Sequence, residues 1–276
     1  MPVRLVQSTH NTRLKELRRA LASPRQGALA GIEGPNLVAE AVRAGLPLAC
    51  VFAAQGAEKL IERLCLPSAT EVLLLPKLLL EAALTTETPQ PVAALVDPPD
   101  WTWAQLLDVQ SGRPALIVVL AGLQDPGNLG TILRSAEAFG ATGIVSLPGT
   151  VSAWNPKAVR ASAGSVFRMP LVAASEEECF AHLRKAGIKV FATVARTAAP
   201  AELSDMAGPT ALVIGNEGNG LPDALAAQAD ASITIPCPGS VESLNAAVAA
   251  SVLLYEASRQ RAELAAAPFY ARRGGR

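Results

Sequence analysis

LVIGNEGNGLPDALAAQADASITIPCPGSVESLNAAVAASVLLYEASRQR, residues 212–261, holds two short apolar strands, each running into a loop crowded with Gly, Pro, Ser and Asn, and then a long apolar helix. The first loop, Gly215-Asn216-Glu217-Gly218-Asn219-Gly220, can bring bare backbone close to a ligand, because glycine lacks a Cβ and tolerates positive φ. The second, 236–245, sets Ser243 and Asn245 at the mouth of the helix, where free N–H groups and short polar side chains gather. Paired loops at strand ends are how an open α/β sheet builds a ligand crevice. The stretch reads as the wall of a cofactor pocket.

Upstream, the same strand and helix alternation continues. Residues 115–121 form an unbroken apolar run, as a strand buried on both faces requires. Asp125-Pro126-Gly127 then opens a helix predicted over 128–139 and stopped at Gly140. A strand follows at 141–147, and a short basic helix at 157–164. Ser175-Glu176-Glu177-Glu178 starts a further helix with a capping-box pattern, ahead of a strand at 188–194. With strands at 211–215 and 232–236, the pattern predicts a mostly parallel sheet with helices on both faces. Nearer the start, helices at 11–21, 35–44, 56–66 and 76–83 alternate with strands at 28–34, 48–53, 71–75 and 91–96, a smaller α/β unit. Asp97-Pro98-Pro99-Asp100 is turn-rich. The expected division is therefore a domain over 1–97, a linker over 98–113 and a second domain over 114–276.

Composition narrows the class. The chain has 276 residues, 50% of them hydrophobic but only 4% aromatic, so its core is mostly Ala, Leu and Val. No apolar run reaches the roughly 18 residues needed to span a bilayer, and no signal-peptide pattern opens the sequence. No membrane role is expected. Cys50, Cys65, Cys179 and Cys237 are scattered without a C-x-x-C pair, so neither disulfides nor a metal is expected, and a cytoplasmic setting is the default. Lys and Arg number 24, as do Asp and Glu, giving zero net charge. The ends are nonetheless basic: Arg4, Arg13, Lys15, Arg18, Arg19 and Arg25 at one, Arg259, Arg261, Arg272, Arg273 and Arg276 at the other. Two readings stay open, a grip on phosphates and ordinary surface solubility.

Known nucleotide motifs do not fit the crevice. A dinucleotide fold needs G-x-G-x-x-G after its first strand, where this chain has Gly122-Leu123-Gln124-Asp125-Pro126-Gly127, and no glycine precedes a lysine as a P-loop demands. Three segments taken together are more specific: Asp125-Pro126-Gly127-Asn128-Leu129-Gly130 with Arg134, then Gly215-Asn216-Glu217-Gly218, then Ile235-Pro236 followed by Ser243-Leu244-Asn245. In this order and spacing they resemble the three motifs of the SpoU (TrmH-like) branch of the SPOUT RNA methyltransferases. The resemblance covers roughly 114–262. It extends less specifically to Ser8 through Lys15 and to Glu33-Gly34-Pro35-Asn36-Leu37, which look like the family's accessory RNA-binding domain.

The resemblance implies an enzyme that transfers a methyl group from S-adenosyl-L-methionine to a ribose 2′-hydroxyl of RNA, 23S rRNA ahead of tRNA. It also implies a C-terminal domain tied in a trefoil knot and a homodimer. By the same resemblance Gly215, Ile235 and Leu244 hold the cofactor's adenosyl part, with Thr193, Asn216, Gly218 and Pro236 as further pocket residues; for Ile235 and Leu244 a plain core role is the alternative. Arg134 matches the catalytic arginine. A guanidinium is a poor base, so its expected part is to orient an RNA phosphate and stabilise the developing alkoxide. Asn128 is expected to look toward the same pocket. Glu217 either steadies Arg134 or only favours a helix N-terminus. Ser243 and Asn245 either bond the ribose or fix the pocket loop, or only cap the helix. Asn11, Lys15, Lys157, Arg160 and Arg168 are expected RNA contacts, with Arg160-Ala161-Ser162-Ala163-Gly164 fitting a family pattern. Cys237 departs from the Met often found there, and the neutral overall charge is low for an RNA enzyme. A non-catalytic RNA-binding or ribosome-assembly factor is the competing class, and a nicotinamide oxidoreductase has only the α/β pattern behind it.

Overall fold

The computed structural model describes residues 2–22, 24, 27–107, 112–195 and 198–271, with side chains to 264. Arg25, Arg272, Arg273 and Arg276 of the basic ends lie outside the described residues. The chain divides into two compact units, one of residues 1–100 with 152–168, the other of 101–151 with 169–276.

The first unit runs β1 (Val3–Leu5), α1 (Thr12–Ala22), β2 (Ala30–Glu33), α2 (Pro35–Arg43), β3 (Leu48–Ala54), α3 (Glu58–Arg63), β4 (Val72–Leu75), α4 (Lys77–Glu81) and β5 (Val92–Val96). Its five strands lie in the order β1-β4-β3-β5-β2, with β5 antiparallel to both neighbours. The helical spacing of Leu14, Leu17 and Leu21 buries one face of α1 against Phe52, Leu73 and Leu95. Strand β1 was not foreseen, since three half-exposed residues carry no clear period. The later segment 152–168 also belongs to this unit. It contains α7 (Pro156–Ala161), which packs on β2.

The second unit runs α5 (Trp103–Leu107), β6 (Leu116–Leu120), α6 (Pro126–Ala138), β7 (Gly143–Ser146), β8 (Leu171–Ala173), α8 (Glu176–Lys185), β9 (Lys189–Thr193), β10 (Ala199–Pro200), β11 (Thr210–Ile214), α9 (Asp223–Ala226), β12 (Ala231–Thr234) and α10 (Ala246–Ala271). Every pairing in its seven-stranded sheet is parallel, in the order β10-β12-β9-β11-β6-β7-β8. Alternation splits the core: Ile117, Val119, Val145, Val190 and Val213 face Phe180 and Leu183 of α8, while Leu116, Val118 and Leu120 are buried on the opposite face.

Two boundaries differ from those expected. Part of the linker is α5, whose fully buried Leu106 sits in the second core; a Cβ on Gly143 would fall 2.3 Å from it, so β7 needs glycine there. Burial of a single apolar anchor decided this against a turn-rich sequence. The stretch 152–168 packs with the first unit rather than continuing the second. Among the described residues no helix is long and apolar enough to cross a membrane, and no group of His, Cys, Asp and Glu could hold a metal.

Among the described residues, Arg4, Arg13, Arg259 and Arg261 of the basic ends are engaged internally. Arg4 and Arg13 pair with Glu71, Arg13 also with Glu16, and Arg259 with Glu256 and Glu263. Arg261 gives its guanidinium N–H groups to the carbonyls of Met206, Pro114, Ala115 and Gly208, at 2.7–3.2 Å. Burial pushes its pKa down to about 10, still charged at neutrality.

Candidate active site

Strand order brings the functional loops together. β12, β9, β11 and β6 are consecutive neighbours, so the segments leaving their carboxyl ends share one edge. Thr193 at the end of β9, Gly215 to Gly220 after β11, Ile235 and Cys237 after β12, and Ser243 and Leu244 before α10 enclose a cavity of about 320 Å³. That volume lies within the roughly 300–1,000 Å³ range of small-molecule sites. Of the expected cofactor residues, Thr193, Gly215, Asn216, Gly218, Ile235 and Leu244 line it; Pro236, exposed between Ile235 and Cys237, does not. Ile235 and Leu244 are half-buried and face the cavity.

The glycine-rich loop is closed on itself. Asn216 and Gly220 exchange backbone bonds of 3.0 and 2.9 Å, and Asn216 Oδ1 accepts from the N–H groups of Gly218 and Asn219. Asn216 Nδ2 donates to the Gly122 carbonyl at 2.8 Å, pinning the loop to the end of β6. Gly215 is fixed by contact: a Cβ there would lie 2.4 Å from the Gly220 carbonyl carbon. The Thr193 hydroxyl donates to the Val213 carbonyl at 2.7 Å, tying β9 to β11 below the cavity.

Beside the cavity, α6 starts on Asp125, which caps it by accepting the Asn128 N–H at 2.8 Å, with Pro126 in the first turn. Glu217 reaches this start. It accepts the N–H of Asp125 at 2.9 Å, that of Gln124 at 3.1 Å and the Asn128 side-chain amide at 3.1 Å. Burial works against the charged carboxyl, but these donated bonds outweigh it and hold its pKa below the ordinary value. Asn245 Nδ2 donates to Asn128 Oδ1 at 3.0 Å, and Asn245 Oδ1 caps α10 through the N–H groups of Ala247 and Val248. Asn245 thus caps its helix, one of the roles expected of it, and also joins the polar cluster.

Arg134 is placed differently from expectation. It is exposed, and no bond or ion pair holds it to Glu217, whose oxygens go to the start of α6. Six residues turn a helix by about 600°, leaving Arg134 about 120° around the axis from Asn128. The two share a helix, not a face. Asp125 was quoted in the motif but not counted as a site residue; an Asp-Pro pair at a helix start was the available signal.

Among the expected RNA contacts, Asn11 caps α1 by accepting the Leu14 N–H at 3.1 Å, and Arg168 pairs with Glu40 at 2.7 Å. Lys15, Lys157 and Arg160 are exposed.

An all-parallel α/β sheet with a loop-walled cavity and an amide–carboxylate cluster at its carboxyl edge defines a small-molecule-binding α/β protein. The SpoU rRNA Methylase family matches residues 115–255, and the chain belongs to that family. It is 37% identical over 174 residues to the 23S rRNA (guanosine(2553)-2′-O)-methyltransferase RlmP of Bacillus subtilis, covering 63% of this chain and 67% of that one. An uncharacterized tRNA/rRNA methyltransferase of Mycobacterium avium is 34% identical over 266 residues, 88% of this chain and 83% of that protein. Among solved structures, the SpoU methyltransferase AviRb of Streptomyces viridochromogenes, in complex with the cofactor AdoMet, superposes with a TM-score of 0.81 at 31% identity, over 92% of this chain and 99% of that chain.

Proposed function

We propose that the chain is an S-adenosyl-L-methionine-dependent RNA methyltransferase that modifies a ribose 2′-hydroxyl of 23S rRNA. The observation that carries the reading is the cavity between the ends of β9, β11 and β12 with the Glu217–Asn128–Asn245 cluster beside it, in a chain of the SpoU family. RlmP, a relative, is a 23S rRNA 2′-O-methyltransferase, and AviRb binds AdoMet.

The cavity suits the cofactor: Ile235 and Leu244 supply apolar walls, and Gly215 leaves backbone bare where any side chain would collide. Bound there, the cofactor supplies the methyl group. The work of the chain is positional. Glu217, ionised at neutrality, locks the glycine-rich loop to the start of α6, and Asn245 locks α10 to the same point. Ser243 stands at the cavity mouth for the ribose. Arg134 orients an RNA phosphate and stabilises the alkoxide as it forms.

The reading extends to a trefoil knot through the pocket loops, to a homodimer, and to a cytoplasmic setting with the RNA. Val248, Val252 and Tyr255 make an exposed stripe along α10, 49%, 40% and 55% accessible, which a second copy would cover. The first unit acts as the RNA-binding part and the second as the methyltransferase part.

The test is transfer of labelled methyl to RNA and to the same RNA with 2′-deoxyribose at the mapped target. Label should enter only the first. Arg134→Ala should abolish transfer and leave S-adenosylhomocysteine affinity unchanged. Equal labelling of the deoxy substrate sinks the 2′-O assignment, and no cofactor binding by the wild type favours the non-catalytic factor.

A further inference from the structure

A second cavity of the methyltransferase unit, about 500 Å³, lies across the glycine-rich loop from the cofactor pocket. The two share Asn216, Asn219 and Gly220, so the loop is the wall between them. The wall is thin: Asn216 and Gly220 exchange backbone bonds, a pair of chain segments about 5 Å apart. Ala246, Ala249 and Leu253 of α10 close the cofactor pocket, whereas Glu176 of α8 closes the second cavity. That cavity fills the gap past the ends of β6 and β7 and before α9. There β6 has β7 on one side and β11 on the other, the switch point at which an open α/β sheet takes its ligands.

Its lining is apolar with few polar groups. Leu147 and Leu225 are buried, Pro148 and Pro222 add flat rings, and Gln124, Glu176 and Asn219 supply the polar side chains. Glu176 is exposed and, among the described residues, makes no ion pair or side-chain hydrogen bond. The groups beside it on α8 are committed: Ser175 caps the helix, and Glu178 accepts the Trp103 indole N–H at 3.3 Å. A carboxylate in the first turn also favours the helix dipole, but Glu177 serves that end equally without lining the cavity. Flat apolar flanks suit a planar base, and the carboxylate decides which one. Ionised, it only accepts, through two oxygens side by side. Of the four RNA bases only guanine sets two donors, N1–H and N2–H, next to each other on its pairing edge. Adenine, cytosine and uracil each place an acceptor beside the donor, and a carboxylate repels it.

We propose that this cavity receives the base of the target nucleotide and that Glu176 selects guanine there. Its two oxygens accept from N1–H and N2–H, and the amides of Gln124 and Asn219 serve the O6 and N7 side. The ribose then lies over the thin glycine-rich wall, toward the methyl-donor pocket. The proposal rests on the RNA methyltransferase reading and adds to it a specificity-determining residue that belongs to none of the three motif segments.

The test compares the full-length wild type with Glu176→Gln on RNA carrying guanosine, inosine or adenosine at the mapped target. The readouts are kcat/KM for methyl transfer and S-adenosylhomocysteine affinity by calorimetry. Inosine lacks only the N2 amino group, so the wild type should use it ~10- to 100-fold less well, the loss of one bond to a charged acceptor. Glu176→Gln should lose a similar factor on guanosine and little on inosine. It should also gain on adenosine relative to guanosine, because a glutamine amide matches the N6–H and N1 pair. Cofactor affinity should hold, and Glu177→Gln, which removes the neighbouring charge, should keep wild-type rates. Equal use of guanosine and inosine by the wild type overturns the proposal, as does a mapped target other than guanosine. Glu176→Gln with wild-type rates, or with the same loss on guanosine and inosine, overturns it too, the latter leaving Glu176 a structural role. A wild-type protein that binds cofactor but methylates no RNA defeats the methyltransferase reading itself, a separate result.

Discussion

Asn245 donates its side-chain amide to the Asn128 oxygen at 3.0 Å, across 117 positions of sequence, and Asn128 passes its own amide to Glu217. A relay of two amides and a carboxylate thus joins the starts of α6 and α10 to the glycine-rich loop. Removing its middle member takes one side-chain bond from each neighbour, leaving the Asn245 amide without its acceptor and Glu217 with two donors instead of three. Asn128→Ala should therefore cost about 1–3 kcal/mol of local order and slow methyl transfer by ~10- to 100-fold. Single-turnover transfer at saturating cofactor measures it; an unchanged rate would show the relay to be ornamental to the chemistry.

Gly215 is a steric requirement. With a Cβ 2.4 Å from the Gly220 carbonyl carbon, Gly215→Ala must push the loop open, a strain of about 1–3 kcal/mol. S-adenosylhomocysteine affinity should fall accordingly, while the melting temperature drops by a few degrees at most because the loop is at the surface. Calorimetry on the variant decides it. Gly218→Ala is the control, since its nearest contact for a Cβ is the Asn216 side-chain oxygen at 3.5 Å.

Glu217 makes the site acid-sensitive in a defined direction. Its folded pKa lies below the ordinary 4.5, the donated bonds outweighing burial. A carboxyl lowered on folding stabilises fully above its unfolded value and loses that contribution as pH falls through the folded one. Cofactor affinity should be level from neutrality down to about 4.5 and weaken below it. Glu217→Gln should remove that acid limb and lower affinity at neutral pH, because a neutral amide accepts less strongly from three donors. An acid limb that persists in the Gln variant assigns the titration to another group.

Arg261 is a structural prediction. Its four carbonyl acceptors tie α10 to the start of β6 and to the loop before β11, with no carboxylate involved. Arg261→Ala should destabilise the chain by about 2–4 kcal/mol, measured by urea unfolding. Lysine, lacking the planar fork, should recover only part of the loss.

Much of this was legible in one dimension. The apolar run of β6 and the amphipathic spacing of α1 come from local periodicity, and Asp125-Pro126 and Ser175 mark helix starts through bonds closed within three residues. The three motif segments likewise named seven of the residues that line the cavity, Gly215 to Gly218, Ile235, Ser243 and Leu244. Such features depend on neighbours in sequence, so sequence alone determined them: two α/β units, and which loops face the ligand edge.

What tertiary structure decided depends on distance in space. Placing β11 between β9 and β6 brings Glu217 to the start of α6, where three donors take up its oxygens and leave Arg134 exposed on another face. Packing put α5 into the second core and 152–168 into the first unit, and pairing spent Arg13, Arg259 and Arg261 on Glu71, Glu256 and backbone carbonyls. A charge in a sequence shows only its sign. Whether it is free to meet an RNA phosphate is settled by which partner the fold brings within about 4 Å, and that is a property of the packed chain alone.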